Sequence, residues 1–344
     1  MAAIYSGMDI SLHRHADADR SLFPVLPDYF RRTYPDKKYP FHEWRNHHEE
    51  IIKWFGNPLK GDIVKKFSLT TGVLQSSETI SLWAENFVNY MAGKAYKYCR
   101  VIFAPQYHTL NGLTEEGVIA AWVKGIKKGE KKNPRIKVNA FLGIGREVST
   151  ERAVELVDIF AQCPDREYFP GVTLVCDEAK NPPEKHAPMF RRTKEVGFRR
   201  ACHVAEWVHD PDTQDADFYR DLPLLLKNLR TAVVELEVDV IEHGIALAYD
   251  QELIKIVADK GIGVTMCPSS YVCTELLPNN DVKVLKIEEL LERVLLFLDV
   301  DDDLFMEDMT EMHSRVWLSK EMREKVRMNG WSMLFPEEKL RGSF

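Results

Sequence analysis

From about residue 97 onward, short apolar runs alternate with longer stretches in which apolar positions recur every three or four residues. Runs of the first kind read as strands covered on both faces, and stretches of the second kind as helices crossing between them. Eight runs qualify as strands: residues 4–12, 97–104, 136–144, 171–176, 198–203, 238–242, 263–266 and 294–300. Two of the helices are legible in detail. Ser149 can cap a stretch in which Ala153, Leu156, Val157, Phe160 and Ala161 form one apolar face. Asp250 can cap another, whose stripe is Leu253, Ile254 and Val257 and whose stop is Gly261. Eight such units close most economically into a (β/α)8 TIM barrel, an α/β fold, although a doubly wound open sheet gives the same local pattern.

One segment breaks the rhythm. Residues 17–96 are too long for a plain strand-to-helix connection and carry Trp44, Trp54, Phe55, Phe67 and Trp83. They read as a helical insertion after the first strand, either a lid over the catalytic face or an elaboration packed against the barrel's side. Residues 319–344 read as a closing helical tail, and the absence of repeats leaves one domain spanning 1–344.

Composition narrows the function classes. The chain has 344 residues, 45% hydrophobic and 29% charged, as ordinary globular proteins do. Acidic residues outnumber basic ones, 53 to 46, and the basic ones are scattered, which argues against nucleic acid as a partner. No stretch approaches the roughly 18 apolar residues of a membrane span, and residues 1–11 lack a leader pattern, so the expected location is the cytoplasm. The cysteines, Cys99, Cys163, Cys176, Cys202, Cys267 and Cys273, form no C-x-x-C pair and read as free, mostly buried thiols.

Candidate chemistry gathers at the carboxyl ends of the strands, where barrel enzymes build their sites. The first strand is followed by His13-Arg14-His15, and histidines two apart on a strand share a face from which both can reach one ion. The fifth ends in His203 with Glu206 three residues on, the sixth runs Glu242-His243-Gly244, and the seventh is followed by Pro268-Ser269-Ser270. The eighth leads into Asp299, Asp301, Asp302 and Asp303, carboxylates that repel unless a cation or proton separates them. Each feature alone has an ordinary explanation: a satisfied histidine, a turn, an exposed acidic loop. Histidines and a carboxylate at four tips of one barrel form a joint pattern that suits zinc, and a zinc site with a position for water points to hydrolysis.

With these residues in order, the chain resembles the adenosine/adenine deaminase family of the amidohydrolase superfamily along nearly its whole length. His13-Arg14-His15 is similar to the family's H-x-H, the segment 102–108 to R-F-A-P-Q-x-H, and His203-Val204-Ala205-Glu206 to H-A-G-E. Glu242-His243-Gly244 is similar to G-H-G, the segment 267–271 to the C-P-x-S region, and Val300-Asp301-Asp302 to T-D-D-P. The resemblance implies one zinc ion per chain, held by His13, His15, His203 and Asp301. It further implies that Glu206 protonates purine N1, that His243 orients or deprotonates the water, and that Asp302 holds N7. Asp17 would contact the ribose, and the position of Cys176 would offer its backbone N–H to N3. The implied reaction is attack of zinc-bound hydroxide on C6, turning adenosine into inosine and ammonia. The alternatives are adenine or an N6-substituted aminopurine as substrate, another amine or amide, or a catalytically silent purine-binding barrel. In each purine reading the partner is a small nucleoside or base.

The motifs are not copied exactly. Cys176 stands for the second glycine of G-x-D-L-x-G-x-E and Thr173 for its aspartate. Ala18 and Ala205 stand for glycines of H-x-H-x-D-G and H-A-G-E, and Asp303 for the proline after the paired aspartates. The metal shell is expected to be intact and purine recognition altered.

Overall fold

The computed structural model describes residues 9–15, 70–209, 217–301 and 318–341. Eight parallel strands follow one another in sequence order around a nearly closed barrel: β1 (Ile10–His15), β2 (Tyr98–Phe103), β3 (Lys137–Gly145), β4 (Gly171–Val175), β5 (Arg199–Val204), β6 (Val240–His243), β7 (Gly263–Met266) and β8 (Leu295–Leu298). The helices are α1 (Ser77–Gly93), α2 (Glu115–Lys132), α3 (Thr150–Gln162), α4 (Ala187–Glu195), α5 (Phe218–Arg230), α6 (Gln251–Lys260), α7 (Pro268–Cys273), α8 (Ile287–Leu291), α9 (Lys320–Ser332) and α10 (Pro336–Lys339). Two contacts draw the last strand back to the first. The N–H of His15 donates to the carbonyl of Asp301 at 2.8 Å. The Asp299 carboxylate accepts from the backbone N–H groups of Leu12 and His13 and from the Ser11 hydroxyl. The barrel is therefore the architecture, and the open-sheet alternative falls away.

The capping residues act as their chemistry dictates. Ser149 accepts from the Arg152 N–H at the start of α3, Asp250 from the Leu253 N–H at the start of α6, and Gly261 ends α6 at φ +64°. The first strand differs from the sequence expectation of 4–12: it continues to His15, with Arg14 opposite Val101 and His15 opposite Ile102. Residues 4–8 lie outside the described residues. The apolar run ends at Leu12, but the strand does not, because His13 and Arg14 are themselves fully buried and keep their place beside β2.

Of the segment 17–96, residues 70–96 are described. Within them α1 opens with a Ser76–Thr79 capping box and packs on α2, so closely that a Cβ at Gly125 would stand 2.2 Å from the Ser81 carbonyl oxygen. Leu74 and Gln75, just before α1, hydrogen-bond His108, Tyr107 and Leu110 in the loop after β2; residues 17–69 of the expected insertion, 17–96, lie outside the described residues. The tail supplies α9 against β8 and β1. The Glu338 carboxylate, in α10, is fully buried and receives the Arg100 guanidinium and the Tyr98 hydroxyl at 2.6–2.7 Å. Since Tyr98 and Arg100 belong to the first half of β2, this network stoppers the amino-terminal end and leaves the carboxyl-terminal end for chemistry. Among the described residues no helix is long and apolar enough to cross a membrane. Among the described cysteines, Cys99, Cys163, Cys202 and Cys267 are buried and Cys176 is exposed.

Candidate active site

The strand ends bring four histidines and a carboxylate to one point. His13, His203, His243 and Asp301 are all buried, and each offers a ligand atom within 4.8 Å of the others. His15 joins them from the same face of β1: its Nε2 is 3.2 Å from Nε2 of His203 and 3.5 Å from Oδ1 of Asp301. Nε2 of His13 is also 3.5 Å from Oδ1 of Asp301. Two ligand atoms bound tetrahedrally to one zinc at about 2.1 Å lie about 3.4 Å apart, so these three spacings match the edges of a zinc site.

Each buried histidine is held from behind. Nδ1 of His13 meets the Thr265 hydroxyl at 2.7 Å, Nδ1 of His203 the Glu242 carboxylate at 2.7 Å, and Nδ1 of His243 the Tyr271 hydroxyl at 3.1 Å. Their Nε2 atoms are left facing the centre, and those of His13 and His243 are buried without a hydrogen bond. Ser270 donates to Asp301 at 3.0 Å and fixes that carboxylate as well. Outer partners that orient imidazoles and carboxylates toward a common point are what a metal requires of its surroundings. The donor set, imidazole nitrogen with one carboxylate oxygen, fits zinc.

The charge states of His203, Glu242 and Asp301 agree with this geometry. Burial pushes His203 down to about 4 against the pull of Glu242, so its imidazole is neutral near pH 7. Burial alone would raise Glu242, but His203, His13 and the Thr173 hydrogen bond outweigh it and hold the carboxyl at about 2. We assign the proton of neutral His203 to Nδ1, where the carboxylate accepts it, which leaves the Nε2 lone pair for an ion. Burial also drives His243 well below its ordinary value. Burial opposes ionisation of Asp301, but the surrounding His13, His15 and His243 more than compensate.

Glu206 lies just beyond β5, with Oε2 3.4 Å from Nε2 of His243. Burial first, then the charges of Asp301 and Glu178, push its carboxyl well above the usual range. The turn that carries it is braced by Glu178, which accepts from the N–H groups of Ala205 and Glu206 and from the Asn228 amide. The backbone explains two of the motif positions. Cys176 and Ala205, which stand for glycines, have φ of +75° and +52°, in the left-handed region that side chains occupy at a cost of about 1 kcal/mol or more. The Cys176 thiol is exposed and contacts the Tyr107 hydroxyl at 3.1 Å, which in turn donates to Glu147 at 2.7 Å.

The structure thus brings together His13, His15, His203, His243, Asp301 and Glu206, and puts Cys176 at the rim after β4. Asp17, Asp302, Ala18 and Asp303 lie outside the described residues. Sequence reasoning missed Thr265, Tyr271, Glu178 and Glu242 as supports of the cluster. For Glu242 a signal existed: an acid within an apolar strand run must have a partner.

A family model described as adenosine deaminase matches residues 46–332. An uncharacterized deaminase of Schizosaccharomyces pombe is 30% identical over 173 residues, 50% of this chain and 46% of that protein, so the matched span is about half the relative's length. An adenosine deaminase of Clostridium perfringens strain 13 is 25% identical over 289 residues, covering 81% of this chain and 80% of the relative. Among solved structures, the N6-mAMP deaminase of Arabidopsis superposes with a TM-score of 0.76 at 18% identity, over 99% of this chain and 97% of that one, a likeness of fold.

Proposed function

The chain belongs to the adenosine/adenine deaminase family of the amidohydrolase superfamily, and from that premise we propose that it is a cytoplasmic zinc-dependent hydrolase that removes the 6-amino group of a purine, adenosine first among its substrates. The observation that carries this reading is the convergence of the inward-facing imidazoles with Asp301, next to a proton-handling pair, Glu206 and His243, that a metal store would not need.

In this reading His13, His15, His203 and Asp301 hold one zinc ion. When bound, zinc supplies a water acidified toward neutrality. The protein's own groups do the rest. His243, pinned at Nδ1 by Tyr271, turns Nε2 toward the cluster and orients the attacking water or takes its proton. Glu206, protonated at the start, gives its proton to N1 of the purine, which makes C6 electron-poor as oxygen adds there. The C6–N bond then breaks as the amino group takes the proton that His243 received from the water and leaves as ammonia, and the added oxygen gives its remaining proton to the Glu206 carboxylate as the carbonyl forms at C6, with N1 left protonated. Asp302 is assigned to N7, Asp17 to the ribose, and the Cys176 N–H to N3.

One observation bears on which aminopurine is preferred, adenine and N6-substituted aminopurines being the alternatives to adenosine. Cys176 keeps the N–H of the motif glycine but adds a Cβ and a sulfur at a strained φ, tied to Tyr107 at the rim. Cys176→Gly relieves that strain and opens the rim, and we expect the ratio of kcat/KM for adenosine to that for adenine to change by about tenfold or more. An unchanged ratio would remove Cys176 from substrate choice.

The deciding experiment is ammonia release by the zinc-loaded protein with adenosine, 2′-deoxyadenosine, adenine, AMP and N6-methyladenosine, the Glu206→Gln variant serving as blank. Release from one compound supports deamination and names the substrate. A nucleoside preference supports the ribose role of Asp17, and a free-base preference removes it. Silence across the panel with zinc bound would overturn aminopurine deamination in favour of a silent binding barrel or another amidohydrolase reaction.

A further inference from the structure

We infer that Glu242 is a positioning residue for the metal, whose carboxylate fixes the ring orientation and tautomer of His203 from β6, a task that a carboxylate at position 173 would otherwise perform from β4. The inference rests on the metal-dependent reading above and extends it to a residue that no motif assigns.

The case starts from the sequence. Glu242 lies in the apolar run Val240-Ile241-Glu242-His243, where the G-H-G pattern has glycine, and Thr173 lies where the strand-four pattern has aspartate. Each departure taken singly is costly or unexplained: one adds a buried acid, the other removes one. The barrel register makes them complementary. His203 is the direct neighbour of Glu242 across β5 and β6, and Thr173 on β4 is paired with Ala201, two residues before His203. Oε2 of Glu242 is 2.7 Å from Nδ1 of His203, the Thr173 hydroxyl donates to that same oxygen, and Thr173 Oγ1 is itself 3.3 Å from Nδ1. A carboxylate on residue 173 would therefore reach the nitrogen that Glu242 now serves. The number of acids behind His203 is kept, and the acid has moved two strands over.

A role confined to filling space does not account for this arrangement. Glu242 is 1% exposed, and an ionised carboxylate taken out of water costs several kcal/mol unless partners satisfy it, whereas an apolar side chain would fill the same volume without that cost. Thr173 completes the satisfaction without competing for the His203 proton, because its hydroxyl donates to Glu242. The acid also acts on the ligand electronically. By accepting the Nδ1 proton it raises the donor strength of Nε2, the atom that lies 3.2 Å from Nε2 of His15.

The test measures metal binding directly, with no substrate present. Zinc affinity by competition with a chromogenic chelator, and the visible absorption of the Co2+-loaded protein, are compared for the wild type, Glu242→Gln, Glu242→Gly and the double variant Thr173→Asp/Glu242→Gly. We expect Glu242→Gln to fold, as judged by circular dichroism, and to bind zinc about 10- to 100-fold more weakly with a shifted Co2+ spectrum. The double variant should recover most of the affinity that Glu242→Gly loses. Unchanged affinity and spectrum in Glu242→Gln would overturn the inference, as would a folded double variant no better than Glu242→Gly. If the double variant does not fold, Glu242→Gln decides alone. A wild type that takes up neither metal would overturn the metal-dependent reading itself, and the two failures are thereby told apart.

Discussion

Glu206→Gln is expected to keep its metal and to lose turnover by about two to four orders of magnitude. The amide has nearly the size and polarity of the acid, so the turn after β5 should survive: the backbone N–H groups there are held by Glu178, not by the Glu206 side chain. An amide can still donate a hydrogen bond to N1, but it has no proton to give. Without that proton, negative charge from the attack on C6 stays in the ring instead of being neutralised as it develops. The setting of Glu206 suits a donor, since burial and two neighbouring carboxylates favour its protonated form. Zinc content measured on the variant separates loss of chemistry from loss of metal, and ammonia release gives the rate. Near-normal turnover with zinc in place would take Glu206 out of the mechanism and leave His243 to handle both protons.

The barrel was legible because parallel strands buried on both faces must be apolar almost throughout, and seven of the eight runs could be bounded by where that character begins and ends. The first strand shows the limit of the method. His13 and Arg14 end the apolar run at Leu12, yet both remain strand residues: Arg14 and His15 keep the β2 register, and the buried His13 ring is satisfied from β7 by Thr265. The candidate ligands were legible for a related reason: titratable residues directly after apolar runs land on one rim of a barrel whatever the length of the helices between them. Their supports were not. Thr265 lies 252 residues from His13, and Tyr271 lies 28 from His243. Such pairs meet only once strand register is set, and periodicity does not encode register between distant strands. The strain at Cys176 was visible only in outline, as a side chain where a motif keeps glycine, and its φ of +75° supplies the reason for the glycine.

His203→Ala is expected to abolish both zinc binding and deamination. Of the proposed ligands His203 comes from β5, opposite β1, so its loss opens the side of the cluster that no other described imidazole with the same Nε2 contacts can fill. The truncation also leaves Glu242 as a buried carboxylate whose remaining hydrogen-bond partner in this cluster is Thr173, and an acid in that position tends to take up a proton or to unsettle β6. A second variant therefore accompanies it: His203→Gln keeps a polar side chain near Glu242 but provides no imidazole. An ion held as proposed would stabilise the folded wild type by mass action, so its melting temperature should rise as zinc is added. Both variants should melt at a temperature that zinc does not change, contain far less than one ion per chain, and release ammonia at the background rate. A variant that is fully loaded with zinc and still raised in melting temperature by it would show that His203 is not a ligand, and the ion would then be assigned to His13, His15 and Asp301, with His243 the nearest remaining imidazole of the buried set.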